Sequence, residues 1–243
     1  MTNIDSYRGL SMLECFFKIY SKVLARRMRR TMERILSPQQ FGFAAGKGCL
    51  EASRTVLDVM QHAIRNRLPL ICLSTDFFKA FDSISISHMR NCLELFQFPQ
   101  KFTRAFMRLA ENGTAQFEIN GQMSEDHRVD NGTGQGDPRS CDAFNMAVEP
   151  LNHWLANSPA VPRYVMDDFE VGNVAFADDG LLLLQGDKTD ECLSTVQKIE
   201  EFYQVSGLKL NPAKCEVLFI HCDENEATRF IQTSGMKRVQ VLY

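Results

Sequence analysis

The chain has no apolar run approaching the ~20 residues that a membrane-crossing helix needs. Its first residues lack the charged-then-apolar pattern of a secretory signal. Its eight cysteines stand singly, with no C-x-x-C, and Cys215, His221 and Cys222 lack zinc-site spacing. Reduced cysteines in an intracellular protein are the expectation. There is no internal repeat and no low-complexity stretch. A surplus of positive charge is also missing: the net charge is −3, which alone argues against a nucleic-acid partner. The distribution says more. Residues 1–70 carry 12 Lys/Arg and 5 Asp/Glu, while residues 71–243 carry 15 and 25. A basic part joined to an acidic remainder suits a protein that holds a phosphate backbone with one and metal ions with the other, although charge alone favours a solvated basic helix face.

Hydrophobic spacing predicts a helix over 11–36, with Phe16, Ile19, Tyr20, Val23, Leu24 and Met28 recurring at helical intervals and Arg26, Arg27, Arg29 and Arg30 crowding its second half. Pro38 stops it, and the glycine-rich stretch 42–49 is a loop. A second helix is expected over 51–67, then a short buried strand, "LPLICLSTDF", with Asp76 near its end. Helices over 85–96 and 99–111 follow. Asn120-Gly121 signals a hairpin, "NGTGQGDPRS" is a loop, and the next helix should break at Pro150. Strands around 163–187, a helix over 189–206, a strand before Ile220, a helix from about Glu224 and a final strand, "RVQVLY", complete an α+β pattern.

Two acidic pairs stand out in "YVMDDFEVGNVAFADD". Asp178-Asp179 lie between "VGNVAF" and "GLLLL", so they sit at the tip of an apolar hairpin. Carboxylates there are costly unless a partner compensates, and a hard divalent cation is a natural one. Asp167-Asp168 read instead as turn residues, whose side chains bond nearby backbone. Asp76, at the end of a buried strand, would supply the other half of a two-metal site. Asp82, six residues on, is expected to cap or pair.

Taken in order, "YRGLSML", "LSPQQFGFAAGKG", "LSTDFFKAFDSI", "GTGQGDPRS", "FADD" and "SGLKLNPAKCEVLF" resemble the successive motifs of reverse transcriptases of the non-LTR retrotransposon and group II intron type. Each motif alone is weak; together, with Asp76 and Asp178 102 positions apart, they are specific. The resemblance implies a right-hand polymerase: fingers over about 1–70, and a palm over 71–243 whose antiparallel sheet is backed by helices, with a fingers-like insertion around 115–130. It implies two-metal addition of dNTPs to a DNA primer on an RNA template, with Mg2+ as cofactor and Mn2+ as a substitute. Asp76 and Asp178 would be the main metal ligands, the Phe77 carbonyl would complete a site, and Asp179 would support them. Phe81 matches the aromatic that rejects a 2′-hydroxyl. Gln135 and Gly136 would line the nucleotide pocket, Arg8 and Lys47 would contact phosphate, and Lys214 would donate a proton to pyrophosphate, with Lys209 competing for that role.

Departures from the family pattern are Phe176 for the usual Tyr, Lys47 for the commoner Arg, and "RSCDAFN" after the Gly-Asp-Pro, where Arg139 and Asp142 stand in a normally apolar stretch. A truncated chain is expected, with primer grip, thumb and endonuclease on a longer parent protein. Two other readings stay open: an inactive domain of the same kind that binds nucleic acid or protein, and a palm-type nucleotidyl cyclase.

Overall fold

The protein is described from a computed structural model, over residues 11–111, 113–211 and 214–239. Its elements, in chain order, are α1 (Cys15–Ile35), α2 (Cys49–Asn66), β1 (Leu70–Thr75), α3 (Ala80–Ser83), α4 (Ile86–Leu95), α5 (Gln100–Glu111), β2 (Thr114–Ala115), β3 (Glu118–Ile119), β4 (Gln122–Met123), β5 (His127–Arg128), α6 (Ser140–Asn157), β6 (Tyr164–Met166), β7 (Phe169–Val171), β8 (Asn173–Phe176), β9 (Asp179–Gln185), α7 (Thr189–Ser206), β10 (Glu216–Ile220), α8 (Glu224–Ser234) and β11 (Lys237–Arg238). Contacts gather these into two compact units. One comprises Met1–Ile35, Lys79–Ala147 and Val205–Gly207, the other Leu36–Phe78, Val148–Gln204 and Leu208–Tyr243. The segment Leu36–Phe78, with α2, thus groups with the sheet, and Lys79–Ala147 groups with α1.

The second unit is built on a five-stranded sheet of order β11-β10-β1-β9-β8, antiparallel except where β11 joins β10. β1 is central. It pairs with β9 from Leu70↔Gln185 to Thr75↔Gly180, and with β10 from Leu70↔Ile220 to Ser74↔Glu216. A strand walled in on both sides has to be apolar throughout, which explains why "LICL" carries no polar alternation. Leu70, Cys72, Leu183 and Ile220 meet Ala52, Val59 and Ala63 of α2, and strand alternation sends the equally buried Ile71 and Leu73 to the opposite face.

The first unit packs α1, α4, α5 and the start of α6 around Met28, Met32, Met89, Leu93, Phe106, Met107 and Phe144. α1 departs from its sequence reading: the inward stripe is Ser21, Leu24, Ala25, Met28 and Met32, while Phe16, Ile19, Tyr20 and Val23 are exposed. Two apolar stripes compete on this helix, and the one with smaller and more flexible side chains fits the interior. α6 also runs on through Pro150 rather than breaking. Its burial on nearly every side between Ala143 and Leu155 outweighs the lost backbone hydrogen bond.

One buried carboxylate organises the start of the second unit. Glu149 of α6 accepts the Ser37 N–H at 2.8 Å and the Ser37 hydroxyl, fixing the turn after α1. Burial pushes its carboxyl up from 4.5 to about 7. The folded value is above the unfolded one, so the stability this group contributes is full below about pH 4.5 and is lost as pH rises through about 7. Glu149→Gln keeps an acceptor for Ser37 without the charge. The variant is expected to match wild type near pH 5 and to exceed it near pH 8, by urea midpoints at both values. A difference that does not change with pH would count against this assignment.

Candidate active site

In the second unit β1 ends at Thr75, whose partner on β9 is Gly180, so the next step of the register sets Asp76 across from Asp179. Phe176 pairs with Asp179 and leaves Ala177 and Asp178 as a two-residue hairpin loop. Only Ala177 has positive φ, at 58°, the pattern of a type II′ turn, in which glycine usually stands. The strands thus bring together Asp76, Phe77, Asp178 and Asp179, the residues expected to meet a metal. Asp178 is half-buried and Asp179 exposed at the hairpin tip.

The segment after β1 is fastened to the loop before β10. The Phe78 N–H donates to the Lys209 carbonyl at 2.8 Å, Phe77 bridges Leu210, and the Asn211 N–H donates to the Asp76 carbonyl at 2.9 Å. The loop therefore delivers Lys214, and its Nζ lies 3.6 Å from Asp76 Oδ2. That oxygen is buried and accepts no hydrogen bond among the described residues, so it is a carboxylate atom that a cation could satisfy. Of the two competing lysines, Lys214 faces the carboxylate, whereas Lys209 contributes its carbonyl. Among the described residues no three acidic, histidine or cysteine side chains converge as a ready metal cage. Two carboxylates and a carbonyl are nonetheless what magnesium uses when substrate phosphates complete its shell. The cavity beside Asp178 and Asp179, about 40 Å3, is far too small for a nucleotide.

The other acidic pair is a turn. Asp167, at φ 51°, and Asp168 connect β6 to β7. Asp167 Oδ1 is 3.4 Å from His62 Nε2 of α2, and the other ring nitrogen, Nδ1, is 2.9 Å from the Tyr164 hydroxyl. This explains the pair without a metal.

Lys47, expected on phosphate, ties up its own loop. Its ammonium donates to the carbonyls of Pro38 at 2.6 Å, Gln40 at 3.2 Å and Ser37 at 3.5 Å, and sits 5.4 Å over the Phe41 ring. Three donors meet three acceptors, so a phosphate contact would require exchange of at least one of them. Desolvation lowers its pKa.

In the first unit, Phe81 packs on Phe144 with ring centroids 4.7 Å apart. The glycine-rich loop folds back on the same segment: Gly132 N–H donates to Ile84 and Thr133 N–H to Phe81, each at 2.8 Å. Gln135 accepts the Ser11 N–H at 2.8 Å through its carbonyl. Gly136 has φ 115°, and a Cβ there would stand 2.7 Å from the Ser11 oxygen, so glycine is required. The structure thus joins Phe81 with the Gln135-Gly136 loop inside one unit; Arg8 lies outside the described residues. The atypical residues also find partners. Arg139 grips Asp137 at 2.6 Å, donates to the Phe106 carbonyl at 2.9 Å and stacks on that ring. Asp142 faces Arg29 at 3.4 Å, and burial raises its pKa. The first is an ion pair buried on both sides, whereas in the second only Asp142 is buried and Arg29 is exposed.

Sequence reasoning missed Gln40, read only as part of a helix stop. Its side chain is fully buried and bonded to the Ala177 N–H in the hairpin that carries Asp178. An uncharged side chain in a loop gives no signal of that kind; the adjoining Phe-Gly-Phe was the only hint that a close approach follows.

An antiparallel sheet with one aspartate at a strand end and another at the facing hairpin tip defines the class: a palm of the template-directed polymerases. A family model described as "Reverse transcriptase (RNA-dependent DNA polymerase)" matches residues 2–242, and the chain belongs to that family. Curated relatives include the Pol polyprotein of the type-2 retrotransposable element R2DM of Drosophila melanogaster, 27% identical over 87% of this chain and 19% of its own length. Others are a 149 kDa protein of transposon TX1 of Xenopus laevis, 26% identical over 87% of this chain and 16% of its own, and an R2 Pol polyprotein of Popillia japonica, 24% identical over 88% and 30%. The chain therefore spans less than a third of the length of each of these relatives. Among solved structures, apo telomerase of Candida tropicalis, truncated from its C-terminal domain, matches 85% of this chain and 41% of its own with a TM-score of 0.58. At 10% identity this is a likeness of fold alone.

If Asp167-Asp168 are only a turn, replacing both by Asn should cost less than about 1 kcal/mol, as for an exposed ion pair. Equilibrium unfolding checks the cost, and Mn2+ titration should show unchanged affinity. Loss of metal binding in this double variant would move the metal site to the first acidic pair.

Proposed function

We propose that the chain carries the catalytic core of an RNA-directed DNA polymerase, adding dNTPs to the 3′-end of a DNA primer on an RNA template. The observation that carries this is Asp76 following β1 where Thr75 pairs with Gly180 beside the Asp178-Asp179 hairpin tip, with an Asp76 oxygen that is buried, accepts no hydrogen bond among the described residues and lies 3.6 Å from the Lys214 ammonium. Bound magnesium would lower the pKa of the primer 3′-hydroxyl and neutralise the leaving pyrophosphate. Asp76, Asp178 and the Phe77 carbonyl would hold it, with Asp179 in support. Lys214, close to Asp76, would stay paired there without substrate and turn its ammonium to the leaving phosphate when a metal takes its place, supplying a proton. Phe81, with its ring held by Phe144, would reject a ribose 2′-hydroxyl by steric clash. Gln135 and Gly136 would border the nucleotide, with Arg8 and Lys47 as further phosphate contacts. Among the described residues no helix is long and apolar enough to cross a membrane.

Primer extension on an RNA template with dNTPs and magnesium tests the reading. Asp178→Asn should abolish extension, while Lys214→Ala should slow it by about 10²–10⁴-fold, the range of a general acid. Template–primer that is bound but never extended by the unmodified chain would favour an inactive domain of the same fold. Cyclic nucleotide formed from a triphosphate alone would favour a cyclase.

The steric role of Phe81 has its own measurement. Phe81→Val should admit ribonucleotides, raising rNTP incorporation relative to dNTP by at least about tenfold, as expected when a clash worth roughly 1.4 kcal/mol is removed. Equal loss of both substrates would instead make Phe81 a packing residue.

A further inference from the structure

We infer that Gln40 is a positioning residue for the metal-binding turn; the inference rests on the polymerase reading above. The segment Gln39–Phe41 lies alongside β8 as a one-residue parallel bridge: Ala175 N–H donates to the Gln39 carbonyl at 2.9 Å and Phe41 N–H to the Ala175 carbonyl at 2.7 Å. From there the Gln40 side chain, fully buried, reaches the hairpin tip. Its Oε1 accepts the Ala177 N–H at 3.2 Å and the Gly42 N–H at 2.9 Å. Both partners are donors, so the amide oxygen, and not the nitrogen, must face them.

Three features make this more than packing. Ala177 is the residue with positive φ in the turn, a conformation that costs an L-residue roughly 1–2 kcal/mol, so something must hold it. Asp178 follows it directly. Gly42 lets the segment come so near that a Cβ there would overlap the Ala177 nitrogen and stand 2.8 Å from its Cα. Finally, Gln40 Nε2 is buried without a hydrogen-bond partner among the described residues. An unbonded buried amide N–H is a cost, and a leucine of similar volume would avoid it. The side chain is therefore kept for its oxygen. By fixing the Phe176–Ala177 peptide, which leads into the residue before Asp178, that oxygen sets where the Asp178 carboxylate points relative to Asp76, and so the geometry offered to a cation.

The test uses the purified chain and two readouts. Hydrogen exchange of the peptide containing Ala177 needs no metal. Mn2+ affinity, from the EPR signal of the free ion, reports on the site. Gln40→Leu should speed exchange at Ala177 about tenfold, one backbone hydrogen bond's worth, with β1 unchanged. It should also weaken Mn2+ about tenfold, the scale on which groups behind the ligands tune metal affinity. Adding Ala177→Gly, which removes the strain, should bring Mn2+ affinity back to within about twofold. Gln40→Glu, which keeps an acceptor oxygen, should retain the Ala177 protection and covers the case in which the leucine variant fails to fold. Wild-type exchange in Gln40→Leu, or an affinity loss that glycine at 177 does not rescue, would overturn the inference. Asp178→Asn is the control for the underlying reading. If it binds Mn2+ as wild type does, the metal assignment fails, and exchange at Ala177 alone decides the role of Gln40.

Discussion

The register of β1 against β9 is the constraint on which the site depends. A strand repeats every two residues, so a slip of one would turn Asp76 to the other face and exchange the buried sets of side chains along the whole strand. Leu70, Cys72 and Leu183 on one face and Ile71 and Leu73 on the other each have a filled place, and both faces of β1 therefore oppose a slip. Pairing with β10 on the far edge locks it again. The placement of the carboxylates is in this sense a by-product of hydrophobic packing some distance from them. Gly180 adds a local condition: the Thr75 hydroxyl donates to its carbonyl at 3.2 Å, and a side chain at 180 would collide with that hydroxyl.

The polar interior is not spread evenly. In the second unit Ser37, Gln40, Glu149, Asn152 and Asn173 are all nearly inaccessible, and they lie along the stretch that leads to the hairpin tip. In the first unit Arg139 with Asp137, and Asp142 with Arg29, occupy the loop and helix start after the glycines. Buried ion pairs contribute little net stability against well-packed apolar side chains, but losing one partner is expensive. Such groups specify one arrangement of a segment rather than add to its stability, which suits loops that must hold their side chains in a fixed pose.

Much of this was legible in the sequence. The buried strand ending near Asp76, the two acidic hairpins, the Asn120-Gly121 turn and the helices from Ile86 to Glu111 all follow from period and turn chemistry, since these are local signals. That both acidic pairs sit in tight turns between strands was also readable, from the flanking apolar residues. What was not readable is tertiary. α1 carries two apolar stripes, and nothing local says that Met28 and Met32 face in while Phe16 and Ile19 face out. Pro150 looked like a break because propensity does not register that α6 is buried nearly all round. The partners of Lys47 were not readable either, because a charged residue between glycines does not reveal which carbonyls it meets. Gln40 acts across 137 residues of sequence, beyond the reach of any pattern.

The Lys47 knot bears on the order in which the chain assembles. Its bonds span only seven to ten residues. Loops of that length close in about 10–100 ns, whereas the sheet that presents Ala177 must wait for pairings across more than a hundred residues. The Lys47 bonds are thus local ones that can close before the long-range pairing, so that this part of the loop can be set before the hairpin it meets.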